Sequence, residues 1–337
     1  MWYRNTGKDS DVVLASRVAL TRNLEDFPFS DKMTGEQAKQ LVAALKEVYT
    51  AENGWTFTDL ETAEPEEKRA LAEQHVISRT LAEKKGAAGL FTNADSTVTV
   101  AVGGEDHVKI GAVAAGNDLK AAMDTAFAAE AELDEKYAIA FTEQFGYVTR
   151  NPAELGTGMK ASVTLHLPVS TDTGWIARVA FRLAKDGISL RSMDGHALST
   201  GVYLVSSRVT MGVDEEGIVK TVTDTAETLA AKERELRGRL TDEYRANLTE
   251  NARRSYGTLM YAENLGTGEL VGMYSKMRLA SALGLVEIPL ARIDEAMFGS
   301  LPHTLAASEH KDAQADLGME RAAYVKTVLK NAPLYQA

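Results

Sequence analysis

The order of strand-like and helix-like segments constrains this fold more than any single motif. Each alternating apolar–polar run lies before Gly212, and from Asp214 onward the apolar spacing is helical with no strand pattern. That segregation predicts an α+β catalytic domain over residues 9–240, followed by a small all-helical domain over 241–337.

Within the first part, residues 11–29 begin with an apolar run and then present Arg17 and Arg22, as a strand or extended entry would. A helix is expected over 34–50. Thr34 and Gln37 form a capping box there, and Leu41, Val42, Leu45 and Val48 share one face. The stretch "TAEPEEKRALAEQHVIS" predicts a second helix leading to His75. Residues 97–102 alternate as a strand. Asn117 is expected to cap a helix running to about 136, with Glu130 interrupting its apolar face and leaving the last turn only partly buried. The Gly/Pro loop 151–158 feeds a strand over 160–167, and 174–186 has amphipathic helical spacing. "GISLRSM" and "GVYLVSSRVTMG" predict two more strands, and 214–240 one long charged helix.

Composition excludes several classes. The 337 residues include no cysteine, so disulfides, thiolate metal sites and cysteine nucleophiles are out. A net charge of −11 argues against a general nucleic-acid binder, while leaving room for one basic cleft. No apolar run reaches the roughly 18–20 residues of a membrane span, and "MWYRNTGKDSD" lacks a signal-peptide core, so a cytoplasmic protein is expected. The six histidines show no metal-ligand spacing. "GTGMKA" precedes a strand where a dinucleotide fingerprint follows one, and it lacks the end of a P-loop.

The chemistry-bearing signal is "VTVAVGGEDHVKIGA", residues 98–112. An apolar strand ends in two glycines and then gathers Glu105, Asp106, His107 and Lys109. Arg17, Lys160 and Arg191 also lie at strand ends or beside glycine loops. Each alone reads equally well as a solvated surface charge. Brought together with Lys109 they would form a cationic pocket for a multiply charged anion such as a nucleoside triphosphate. Glu105, at its mouth, would stay ionised beside the cations and could orient and deprotonate a cationic nucleophile.

These stretches resemble the phosphagen (ATP:guanido) kinase superfamily. "DSDVVLASRVALTRN" is similar to its "S-x-R-x-R-x-x-R-N" strand, "GGEDHVKI" to "N-E-E-D-H-hydrophobic-R", "NPAELGTGMKASVTLHLP" to its Cys-Pro-Thr-Asn loop and following strand, and "LRSMDGH" to "V-R-G-x-x-G-E". "RRSYGTL" and "MRLASALGL" resemble the C-terminal half of the bacterial protein-arginine kinases. The resemblance implies an antiparallel sheet flanked by helices. It also implies transfer of the γ-phosphoryl group of ATP, which carries its own Mg2+, to arginine side chains of proteins.

Residue by residue, the resemblance makes Glu105 the catalytic carboxylate. It makes Ser16, Arg17, His75, Lys109, Lys160, Ala161, Ser162 and Arg191 the ATP-binding set, places His196 and Asn151 on the acceptor side, and leaves Arg178 and Arg321 as remnants of a phosphoarginine-sensing site. No protein-held metal is implied. Implied partners are protein substrates, among them a heat-shock repressor, and a Clp protease system; a homodimer through the helical domain is implied too. The apolar content of that domain fits a monomer core equally well.

The departures fall on the chemistry. Ala19 stands where the pattern has its second arginine, Lys109 and Lys160 where it has arginines, Gly103-Gly104 where it has Asn-Glu, His196 for a glutamate and Asn151 for a cysteine. "LGMERA" keeps only Arg321 and Ala322 of the sensing motif. Lysine keeps the charge but loses the bidentate fork, and each lost charge-assisted bond costs about 1.5–3 kcal/mol. Two readings therefore stand: an ATP:guanidino phosphotransferase, or a relative that binds nucleotide or protein and regulates without transfer.

Overall fold

The computed structural model describes residues 1–193 and 201–330. Its strands are β1 (Val13–Arg22), β2 (Trp55–Asp59), β3 (Gly89–Asn93), β4 (Val98–Val102), β5 (Val108–Ala115), β6 (Phe141–Thr142), β7 (Gly146–Tyr147), β8 (Met159–His166), β9 (Ile188–Ser192) and β10 (Val202–Ser207). Eight of them form one antiparallel sheet in the order β2-β3-β4-β5-β1-β8-β10-β9, and β6 pairs with β7.

Helices in the first part are α1 (Gly35–Val48), α2 (Pro65–Glu73), α3 (Arg79–Glu83), α4 (Leu119–Asp134), α5 (Pro168–Asp172), α6 (Trp175–Lys185) and α7 (Glu215–Gly238). The last part is helical throughout its described residues: α8 (Asp242–Tyr261), α9 (Thr267–Ala282), α10 (Leu290–Phe298), α11 (Pro302–Glu309) and α12 (Gly318–Leu329).

Period-two alternation decides which face of the sheet is covered. In β1, Val18 and Leu20 are fully buried under α4, while Arg17, Ala19 and Thr21 point to the other face. Helices α1, α4 and α7 close the first face over a core that includes Leu41, Leu45, Phe91, Ile110 and Val163. Truncating Leu41, Leu45, Phe91 or Ile110 to alanine would cost about 2–5 kcal/mol. The capping box at Thr34 forms as expected, with the Gln37 side chain accepting from the Thr34 N–H at 2.9 Å.

The opposite face is only partly covered. Leu60, Ile77 and Leu81 pack there against Leu90 and Ala101, so the α2–α3 segment makes one wall. The C-terminal helices make another at the β8–β10 end, where His166 Nε2 meets Ser275 Oγ at 2.9 Å and Val202 joins the helical core. Arg278 fixes this docking. Its guanidinium donates to Asp294 Oδ1 at 2.8 Å and to the Ser10 carbonyl at 2.9 Å, fully buried.

Two local expectations are corrected. Asp118, not Asn117, caps α4, accepting from the Ala121 N–H at 3.1 Å; Asn117 instead reaches Asp9 at 3.3 Å. Glu130 does not open the last turn of α4. It is buried against Arg22, and Leu133 beyond it is fully buried, because the guanidinium supplies the partner a lone carboxylate would lack. The helix expected to lead to His75 forms as α2 and ends at Glu73. His75 adopts φ +58° there, and the chain turns back through Val76 N–H to Leu71 O at 2.8 Å.

Candidate active site

The open face of the sheet beside the α2–α3 wall, with Met1–Tyr3 at one side, holds a cleft of about 320 Å³. Register assigns its floor. Thr21 pairs with Lys109, Ala19 with Gly111 and Lys160, Arg17 with Ser162, and Leu204 with both Thr164 and Arg191. Directly paired residues share a face, so Arg17, Lys109, Lys160 and Arg191 all project from the cleft side. The cations scattered along the sequence are thus carried by four strands onto one surface.

Their fields overlap. Burial, then the charges of Arg191 and Lys109, hold the Lys160 ammonium below its ordinary value. Arg17 lines the cleft half-buried, and burial pushes its guanidinium down to about 10, still charged at neutral pH. That guanidinium donates to the carbonyl of His75 and, at 3.5 Å, to that of Gln74, so the end of α2 aims it. The His75 imidazole is pushed down to about 4 by burial and by Arg17, Arg79 and Arg191, and is neutral at physiological pH. Cations concentrated in a partly desolvated groove favour an anion with several charges.

The "GGEDHVKI" loop divides its labour. Only Gly103 needs to be glycine: it sits at φ +83°, and a Cβ would come within 3.0 Å of the Ala87 carbonyl. Asp106 Oδ1 accepts from Asn23 Nδ2 and from the Arg150 N–H, both at 2.7 Å. His107 is buried, and burial lowers its pKa; Nδ1 accepts from the Leu24 N–H at 3.0 Å, and Nε2 lies 2.8 Å from the Pro28 carbonyl. With one acceptor and one donor role filled, the ring is held as one neutral tautomer assigned by this network. Glu105 is exposed, lines the cleft and takes no hydrogen-bond partner among the described residues. It is the free carboxylate of the group.

The other expected residues divide. Asn151 lines the cleft, though its side chain accepts from the Ala153 N–H at 3.1 Å. Ser162 shares the sheet face of Arg17, its register partner, but is buried and does not line the cleft itself. Ser16 and Ala161 point the other way: Ser16 Oγ donates to the Gly116 carbonyl at 2.8 Å, and Ala161 is fully buried in the helix-covered core. Their side chains cannot reach a ligand in the cleft. His196 lies outside the described residues. Arg178 is exposed on α6, whereas Arg321 is buried in the helical core and donates to the carbonyls of Ser300 at 3.1 Å and Leu265 at 3.0 Å.

Sequence reasoning missed Glu154, which lines the cleft and accepts from Thr21 Oγ1 at 2.8 Å, and the Arg79 charge beside His75. It also missed Trp2 and Tyr3, which close one end of the cleft by packing Trp2 on Phe298 at 4.9 Å. Glu154 stands within the quoted Gly/Pro loop; nothing in the chain's order brings Trp2 to Phe298. Among the described residues no three His, Asp or Glu side chains gather as metal ligands, and no helix is long and apolar enough to cross a membrane.

Residues 36–236 match the family model for the ATP:guanido phosphotransferase C-terminal catalytic domain, and residues 245–336 that for the protein-arginine kinase McsB C-terminal domain. The protein-arginine kinase of Caldanaerobacter subterraneus subsp. tengcongensis is 30% identical over 95% of this chain and 98% of its own length. That of Halalkalibacterium halodurans is 32% identical over 85% and 82%. Among solved structures, the duplicated taurocyamine kinase of Schistosoma mansoni superposes with a TM-score of 0.61 at 23% identity, over 72% of this chain and 38% of that one. Lombricine kinase gives 0.59 at 18% identity, over 71% of both chains. This chain therefore spans well under half of the duplicated enzyme, and likeness at such identity speaks for the fold.

Proposed function

Because the chain belongs to the ATP:guanido phosphotransferase family, with the C-terminal region of its protein-arginine kinases, we propose that it transfers the γ-phosphoryl group of ATP to arginine side chains of proteins. The observation that carries this reading is the convergence of Arg17, Lys109, Lys160 and Arg191 on one face of the sheet, beside the free carboxylate of Glu105. The triphosphate lies across these cations, with Mg2+ arriving on the nucleotide. His75 borders it as a neutral imidazole, and Ser162 shares the sheet face of Arg17.

Phosphoryl transfer of this kind asks for alignment and charge neutralisation. The acceptor guanidinium is cationic and a poor nucleophile. Glu105 fixes it in line by accepting its N–H groups and takes one proton. A bond forms between the guanidino nitrogen and the γ-phosphorus as the bond from that phosphorus to the β,γ-bridging oxygen breaks, and ADP leaves. Asn151 and His196 belong to the acceptor side in this reading. Arg178 is the exposed member of the phosphoarginine remnant, since Arg321 is committed to two backbone carbonyls.

The catalytic domain ends at about residue 240, between α7 and α8, and the helical domain follows. By family resemblance the setting is cytoplasmic protein quality control, with a heat-shock repressor among the substrates, a Clp protease system downstream and a homodimer through the helical domain. The curated relatives are kinases, which does not favour a regulator without transfer. Incubation with ATP and an unfolded arginine-rich protein should give acid-labile phosphate mapped to arginine by mass spectrometry. Glu105→Gln should abolish incorporation while leaving MgADP binding intact. Transfer that survives Glu105→Gln overturns the assignment.

A further inference from the structure

The helical C-terminal region touches the cleft wall at one strongly polar junction. The Glu73 carboxylate, at the end of α2, caps the start of α11. It accepts from the Thr304 N–H at 2.7 Å, from Thr304 Oγ1 at 2.8 Å and from the His303 N–H at 3.3 Å. Gln74 Nε2 donates to Thr304 Oγ1 at 3.3 Å, and Glu66 meets His303 Nδ1 at 2.8 Å. A carboxylate at a helix start satisfies orphan N–H groups and suits the positive end of the dipole. The next two residues of the chain carry the Gln74 and His75 carbonyls that hold the Arg17 guanidinium.

We propose that Glu73 is a positioning residue that couples the seating of α11 to the ATP pocket. By pinning the end of α2 to the helical region, it fixes the left-handed turn at His75, and so the two carbonyls that aim Arg17 at the phosphates. Movement of α11, whether by a partner or by a change within the helical region, then alters nucleotide affinity without touching the acceptor side. The inference rests on the reading of Arg17 as a phosphate ligand.

The test is a double-mutant cycle read by MgADP calorimetry on the full chain. Glu73→Gln keeps the shape and removes the charge. It should raise the MgADP Kd roughly three- to tenfold and leave the KM for the protein acceptor unchanged. In an Arg17→Ala background the same substitution should change Kd by less than about twofold, while its effect on thermal stability persists. Thr304→Val, which deletes one donor to Glu73, should show a smaller shift with the same dependence on Arg17. Should Arg17→Ala weaken MgADP while Glu73→Gln does nothing, or adds in full to Arg17→Ala, the coupling is refuted and the cleft assignment stands. Should Arg17→Ala leave MgADP binding intact, the phosphate-site reading falls and takes this proposal with it.

Discussion

Restoring an arginine at Ala19 tests the cationic floor more sharply than removing a cation does. Ala19 lies mid-strand in β1, directly opposite Gly111 on one side and Lys160 on the other. Gly111 has no side chain to obstruct an arginine rising from position 19. Lys160 is its nearest cationic neighbour, and Arg17 and Lys109 are one step away on the same face. At about 7 Å and an effective dielectric between 20 and 80, each neighbour repels the new charge by roughly 0.6–2.4 kcal/mol. Ala19→Arg should therefore lower the thermal stability of the nucleotide-free protein, and less so at high salt. A bound triphosphate reverses the sign, since a charge-assisted hydrogen bond to phosphate is worth about 1.5–3 kcal/mol. The expected result is a lower Tm alone, a larger Tm rise with MgADP, and kcat/KM for ATP raised about ten- to a hundredfold. Scanning fluorimetry with and without MgADP, together with steady-state kinetics, reads all three. A lower Tm with no larger nucleotide shift would mean that phosphates do not lie over this floor.

Two further outcomes follow from the same geometry. His75 titrates at about 4 against an ordinary 6.5, so its contribution to stability is complete above about 6.5 and lost as pH falls toward 4. Phosphates among its cationic neighbours favour the imidazolium, so MgADP should raise the His75 value in an NMR titration; an unchanged or lower value contradicts its place beside the phosphates. Glu130→Ala should cost about 3–5 kcal/mol in urea unfolding, because it strands the buried Arg22 guanidinium, and Arg22→Met in the same chain should recover much of that. A loss below about 1 kcal/mol would show that the Thr21 and Thr157 carbonyls and the Tyr147 ring satisfy Arg22 unaided.

Where the apolar period was clear, it located the elements: α1, β4, β8, α6 and α7 fall within a few residues of their expected spans, while β1 ends at Arg22, short of the expected 11–29. Strands β2, β3 and β5 were not legible. The first is an edge strand with one buried side chain, and β5 reads "VKIGAVAA", where glycine and alanines carry little strand signal. The left-handed turn at His75, at the end of the expected helix, gave no signal of its own, because a left-handed histidine is stabilised by what surrounds it and not by local propensity. At the site, residue type and the family resemblance named the cations and Glu105. Period-two alternation, which the residue-by-residue resemblance did not weigh, decided that Ser16 and Ala161 face the core while their neighbours Arg17 and Lys160 face the cleft side.

The polar cluster after β4 shows why residue type alone could not separate scaffold from chemistry. Glu105, Asp106 and His107 are consecutive and equally reactive on paper. Asp106 accepts two hydrogen bonds on Oδ1 and His107 has a partner on each ring nitrogen, so both side chains are tied to the loop they hold. Glu105 is the one carboxylate of the pair with neither oxygen bonded among the described residues, because Gly103 turns the chain and the bonds made by Asp106 and His107 fix the loop on the residues after it. A carboxylate held in place by its neighbours' hydrogen bonds, and not by its own, is positioned without being neutralised. That is the state a base needs before a guanidinium arrives. The same logic applies across the floor. Arg17 directs two of its donors to backbone carbonyls and is held in place, whereas Lys109 is exposed and without a hydrogen-bond partner among the described residues. A compact ammonium that swings on a four-carbon stem suits a contact that neutralises charge; the fixed fork at Arg17 suits the contact that sets the line of transfer.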